Sequence, residues 1–350
     1  MTMPLLARPV AIRPADTHDA PRIAAYVAAH PEGTPFHLAE WSAAVARGCG
    51  QQDRYLVAEG ADGAIAGVLP LTLVTSRLFG TALVSAGFGV DGGVLADDAA
   101  TAQALADDAW RIAVAQGATS LELRGGPAPT GFHTNTDSYL GFVRDLATDD
   151  DAQLLAIPRK QRAEVRKSFD KGLTISVDDD RAAHYRVYAE SVRNLGTPVF
   201  PKTLFAAVLD AFGDAADILT VRHQGVPVAS VLSLYWRGTV YPYWGGGTEA
   251  ARGLRANDAM YFALMNHARR RGCTRFDFGR SKVGTGAAAF KRNWGFEGQP
   301  LAYHVRTADD AAPRSVNPLD PKYARKIALW KTLPLPIANL VGPWLSRGLG

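Results

Sequence analysis

Two cysteines in 350 residues, Cys49 and Cys273, lie far apart and form no CxxC or Cys/His ligand spacing. A disulfide framework and a structural zinc site are therefore excluded, no metal is expected, and a reducing compartment fits. No stretch reaches the roughly 18 consecutive apolar residues that span a bilayer, and Met1 to Asp16 lacks the apolar core of a secretory signal. The expectation is a cytoplasmic protein. Net charge is small, a formal +4 from 38 Lys and Arg against 34 Asp and Glu, too mild to argue for nucleic acid by itself. A Gly-x-Ser-x-Gly elbow is missing as well, so nothing points to a covalent serine intermediate.

What the chain does have is apolar content, 47%, enough to bury a sizeable core, and a length that suggests two domains. The charge is also uneven. From Ala312 onward, Arg314, Lys322, Arg325, Lys326, Lys331 and Arg347 face Asp320 alone, so this tail holds the basic excess. It joins a basic amphipathic turn, Tyr323 to Thr332, to an apolar, proline-broken run from Leu333 to Trp344. Peripheral contact with an anionic membrane is one expectation and packing back onto the protein the other.

Apolar spacing predicts helices within residues 17–47, then a strand at Arg54 to Glu59, a long strand from Ile65 to Val74 and another from Ala82 to Ser85. A helix from Ala99 to Gln116 leads to a strand at Ser120 to Leu123. The same order returns with strands at Ile218 to His223, Val226 to Trp236 and Thr239 to Trp244, a helix from Asp258 capped by Asn257, and a strand at Thr274 to Phe278. Setting Tyr55 against Ile218 puts the copies 163 residues apart. The expectation is an α/β protein with mixed sheets flanked by helices, divided at 1–150, 151–311 and a tail at 312–350.

Chemistry concentrates after the last of those strands. The loop beyond Phe278 carries Arg280, Ser281, Lys282 and Thr285 with Gly284 and Gly286, and a short helix from Ala287 brings Lys291 near its end. Cations and glycine N–H groups beside a strand end suit an anion or a developing oxyanion. Asp277 and Arg280 could instead form a buried ion pair, with Phe290, Trp294 and Phe296 as ordinary core. Elsewhere, Arg162 and Arg166 share a face of the basic helix at Pro158 to Lys171, either a phosphate-binding face or a solvated one. Tyr188, Ser191, Arg193 and Asn194 form an acceptor-site wall or a helix end with its capping loop, and Tyr243 is a further candidate contact. His37, at a helix join, is a substrate contact, a base or a cap.

The runs Asp277-Phe-Gly-Arg-Ser-Lys282, Gly284-Thr-Gly286, Phe290-Lys291 and Trp294-Gly-Phe-Glu297 resemble the C-terminal signature of FemAB-like proteins. The subgroup found with PEP-CTERM/exosortase and exopolysaccharide loci is the most similar, and the resemblance covers most of residues 150–350. It implies two tandem GNAT-like (acyl-CoA N-acyltransferase-like) domains and transfer of an acyl or aminoacyl group to an amine, without a tightly bound cofactor. The implied donor is acyl-CoA or aminoacyl-tRNA, and the acceptor a small-molecule or lipid-linked glycan. On the motif match Lys291 would stabilise the oxyanion, and Arg280 and Lys282 would bind phosphate or carboxylate. Asp277 would orient a cation or help remove a proton. At the usual CoA-pyrophosphate turn, Ala250 and Arg255 stand in two defining positions, which counts against CoA. A catalytically idle scaffold of an export system is the remaining alternative.

Overall fold

The computed structural model describes residues 10–308 and 321–349. Among them two compact units form, one from residues 10–136, 301–308 and 347–349, the other from 137–300 and 321–346.

In the first unit β1 (Val10–Pro14), β3 (Leu56–Gly60), β4 (Ile65–Leu69) and β7 (Leu95–Ala96) form one sheet. A second sheet contains β2 (Gln52–Asp53), β5 (Leu71–Ser76), β6 (Gly80–Ser85), β8 (Ser120–Arg124) and β9 (His133–Asn135). The helices of this unit are α1 (Ala20–Ala29), α2 (Ala39–Cys49) and α3 (Ala99–Ala115). The long strand expected from Ile65 to Val74 is thus two strands in two sheets. Pro70 divides them: it has no N–H to give a ladder, and its carbonyl instead accepts the N–H of Ala86.

The second unit holds one seven-stranded sheet in the order β11-β12-β13-β14-β15-β10-β16. Its strands are β10 (Tyr139–Asp145), β11 (Leu173–Asp178), β12 (Ala216–His223), β13 (Val226–Trp236), β14 (Thr239–Gly247), β15 (Arg275–Lys282) and β16 (Gly298–Pro300). α4 (Asp150–Ala156), α5 (Arg159–Phe169), α6 (Arg181–Leu195), α7 (Lys202–Phe212), α8 (Glu249–Leu254), α9 (Ala256–Arg270) and α10 (Gly286–Asn293) accompany it. α9 buries Met260, Leu264, Met265 and Ala268, a three-to-four spacing that lays one stripe on the sheet. Asn257 does not cap it; the chain turns instead through Arg255 in the left-handed region, at φ 56°.

A single strand, β17 (Tyr303–Thr307), explains why the domain limits differ from those expected. It follows the second sheet in sequence yet pairs with β8 and β9 of the first unit. β10 does the reverse, preceding the second unit's helices and pairing with β15 and β16. Each half lends a strand to the other sheet, so the boundary falls near residue 137 and not 150. The segment expected as a separate tail contributes α11 (Pro321–Thr332) and α12 (Leu335–Ser346) to the second unit; Arg314 and Asp320 lie outside the described residues. Among the described residues no helix is long and apolar enough to cross a membrane.

Candidate active site

β14 and β15 run parallel, joined through α9, but pair only at Thr239↔Arg275 and Val240↔Phe276. Beyond those pairs the strands part. β14 has a bulge opposite Leu232 and Ser233, with Tyr243 as its extra residue, and Pro242 beside it has no N–H to give. On the other side, Phe278 and Gly279 of β15 together oppose Phe142 of β10, with Gly279 at φ 68°.

That second bulge decides where the charged residues point. Asp277 is registered with Val143, Arg280 with Gly141 and Lys282 with Tyr139, so all three share the face of those alternate β10 residues. Without the extra residue, Asp277 and Arg280 would point to opposite faces. Tyr139 supplies the platform: the Arg280 guanidinium lies 4.8 Å from its ring centre and the Lys282 ammonium 5.7 Å.

Lys291, on α10, is buried. Its Nζ donates to the carbonyls of Gly279 at 3.0 Å and Arg280 at 2.9 Å, and sits 5.3 Å above the Phe142 ring. Burial draws its pKa down to about 7, against the opposing pull of Asp277. Asp277 accepts the Gly279 N–H at 2.8 Å, and burial pushes its carboxyl up to about 6 although that bond and the Lys291 charge act the other way. A carboxylate and an amine whose pKa values nearly meet stand on the two sides of one bulge. The aromatics beneath are core: Phe276, Phe278, Trp294 and Phe296 are buried, and the Phe278 ring centre lies 5.1 Å from that of Phe296.

Several expected contacts are already engaged. Thr285 caps α10: its hydroxyl donates to the Lys282 carbonyl at 2.7 Å and accepts from Ala288 N. Arg193 donates to the Lys331 carbonyl at 3.0 Å, tying α6 to α11, while Asn194 beside it is exposed. Arg162 donates to the Leu155 carbonyl at 3.2 Å, and Arg166 is exposed on α5. His37 belongs to the first unit and is buried there, with Nδ1 receiving the Thr34 N–H at 3.1 Å and burial drawing its pKa down to about 4. It is a cap. Among the described residues no cluster suited to a metal ion occurs.

Tyr261 and Glu190 carry information that sequence reasoning missed. The Tyr261 ring packs edge-on against Phe278 at 4.7 Å, and a Cβ added at Gly245 of β14 would lie 3.1 Å from its hydroxyl. One α9 side chain therefore lines both parted strands. Glu190, on α6, accepts the N–H of Glu249 at 2.8 Å, placing a carboxylate at the first turn of α8. An open cleft adjoins this turn, lined in part by Arg186, Glu190, Val226, Thr248 and Glu249. The Tyr261 signal was the aromatic in the α9 apolar stripe; Glu190 gave none, being 59 positions from its partner.

Residues 159–292 match the family model described as "Acetyltransferase (GNAT) domain", a span that ends just past Lys291. Among solved structures, the chain is similar to FemX at TM-score 0.67, with 17% identity over 85% of this chain and 98% of that one. A tandem GNAT protein from the clavulanic acid biosynthesis pathway is similar at TM-score 0.57, with 14% identity over 87% of this chain and 100% of that one. L-PGS from Bacillus licheniformis is similar at 0.54, with 14% identity over 97% and 98%. No curated protein sequence matches the chain. The fold class is therefore α/β with mixed sheets flanked by helices, arranged as two GNAT-like halves. The second half carries the acetyltransferase-family match.

Proposed function

We propose that the second unit is the catalytic half of a FemAB-like N-acyltransferase, which moves an acyl or aminoacyl group onto an amine of a cell-envelope or exopolysaccharide precursor. The observation that carries this is the parted parallel pair β14 and β15, with Asp277, Arg280, Lys282 and Lys291 gathered where β15 ends. Main-chain groups released by the parting can hold an extended carbonyl-bearing donor. The acceptor nitrogen attacks that carbonyl carbon, a C–N bond forms, and the oxygen gains negative charge. Collapse breaks the bond to the donor's alcohol or thiol, and the nitrogen loses its proton.

Lys291 as an ammonium keeps one N–H after serving the two carbonyls, and that N–H meets the oxyanion. Asp277, with its pKa near 6, holds or relays the departing proton. Arg280 and Lys282 grip a phosphate or carboxylate of the substrate. The resemblance to the exosortase-associated subgroup supports a glycan-linked acceptor at the cytoplasmic face of the membrane.

The donor in this reading is an aminoacyl-tRNA ester and not a CoA thioester. Glu190 already takes the Glu249 N–H, and two acidic residues at the start of α8 repel a pyrophosphate there. Calorimetric titration of the full chain against acetyl-CoA, long-chain acyl-CoA, and charged and uncharged tRNA tests this, with Lys291→Met as control. Binding of charged tRNA is the expected result. Tight CoA-thioester binding would replace it with an acyl-CoA enzyme, a reading the family match over 159–292 favours. Silence from every donor would turn the chain into a scaffold.

A further inference from the structure

Two features of α11 and α12 stand apart from the candidate site. Residues 321–350 contain Lys322, Arg325, Lys326, Lys331 and Arg347 and no acidic residue, so these five cations exceed the whole chain's net +4. The helices also pack by their small or inward residues and turn large apolar ones to solvent. On α12, Ala338, Gly342 and Ser346 are buried, Ser346 donating to the Val199 carbonyl at 2.9 Å. The opposite stripe is Ile337, Leu340, Val341 and Trp344, all exposed, with Leu340 at 80% and Trp344 at 52%.

α11 is built alike. Ile327 packs towards Gly196, where an added Cβ would come within 2.5 Å of its Cγ2. Arg325, Lys326 and Leu329, three and four positions apart, line an exposed face, with Leu329 at 67%. Because Gly196 and Val199 belong to one short segment after α6, both helices turn their backs to the same place. Their outer faces join cations to Leu and Trp.

We propose that this face docks on an anionic lipid surface. Charge selects the occupant: a bilayer bearing anionic headgroups accepts Arg325 and Lys326 while its acyl boundary takes Leu340 and Trp344, an arrangement typical of helices lying in a membrane interface. The surface binds without spanning the bilayer, since neither helix is long and apolar enough to cross. It does not depend on the transferase reading.

Sedimentation of the full chain with phosphatidylcholine vesicles, with and without phosphatidylglycerol, tests the proposal. Binding is expected only with phosphatidylglycerol, weakening as salt rises. Arg325→Glu with Lys326→Glu should weaken it by at least about twenty-five-fold, since each cation near such a surface contributes about fivefold. Leu340→Glu with Trp344→Glu should abolish it with the thermal midpoint unchanged, because both side chains already face solvent. Absence of vesicle binding, or equal binding by wild type and both variants, overturns the proposal. So does a concentration-dependent dimer dispersed by Leu340→Glu without vesicle binding, which would make a second copy the occupant.

Discussion

Asp277 and Arg280 stand on one face of the same strand although three positions separate them, because Phe278 and Gly279 together oppose the single residue Phe142. Odd spacing in a regular strand would send them to opposite sides. The bulge is a device for gathering charge, and Lys291 fastens it by holding the carbonyls of Gly279 and Arg280.

Gly279→Ala tests that device. Gly279 sits at φ 68°, where a Cβ costs about 1–2 kcal/mol. Denaturant titration should register that loss, together with a rise in KM as Arg280 and Lys282 are misaimed. An unchanged stability and KM would mean that the bulge does not position these residues.

Lys291→Met should lower kcat by about a hundredfold, the usual effect of removing one oxyanion donor. Fold should survive, since the buried ammonium gives way to an apolar chain of similar length while two carbonyls lose a donor. Turnover equal to wild type in a folded protein would remove Lys291 from the chemistry.

The pH dependence follows from the two displaced pKa values. Asp277 is ionised above about 6 and Lys291 protonated below about 7, so both charges coexist only between them. A bell-shaped kcat/KM profile with limbs near these values is expected, and Asp277→Asn should erase the acid limb. Stability runs the other way. Asp277 holds its proton to a higher pH folded than unfolded, so its contribution is complete below the ordinary 3.8 and is lost as pH rises through about 6. Lys291, depressed from 10.5, contributes fully above that value and less as pH falls through about 7. Melting curves should therefore show Asp277→Asn combined with Lys291→Met stabilising the fold most between pH 6 and 7.

Thr285→Ala separates capping from recognition. With its hydroxyl bound to Lys282 O and Ala288 N, its loss should reduce stability by about 1 kcal/mol. KM should stay near the wild-type value. A large rise in KM without a stability change would restore Thr285 as a substrate contact.

Local chemistry was enough to determine much of this protein. β13, α9, β15 and α10 were readable as residue runs because alternation, apolar stripes and glycine ends are written within a dozen positions. The charged residues after Phe278 were legible as a group, as were the aromatics that became their floor, but not as strand: the expected loop is the bulged end of β15, which stays paired with β10 as far as Lys282. The repeat of strand order disclosed two halves.

Tertiary structure alone decided the rest. The exchange of β10 and β17 joins strands to sheets made by the other half, and backbone pairing leaves no mark in the spacing of side chains. For the same reason the sequence could not show that Gly279 bulges, since its partner Phe142 lies more than a hundred positions earlier. Burial, which only packing creates, brought the pKa values of Asp277 and Lys291 together. Types and spacings named the reactive groups; long-range pairing and desolvation determined how they are aimed and charged.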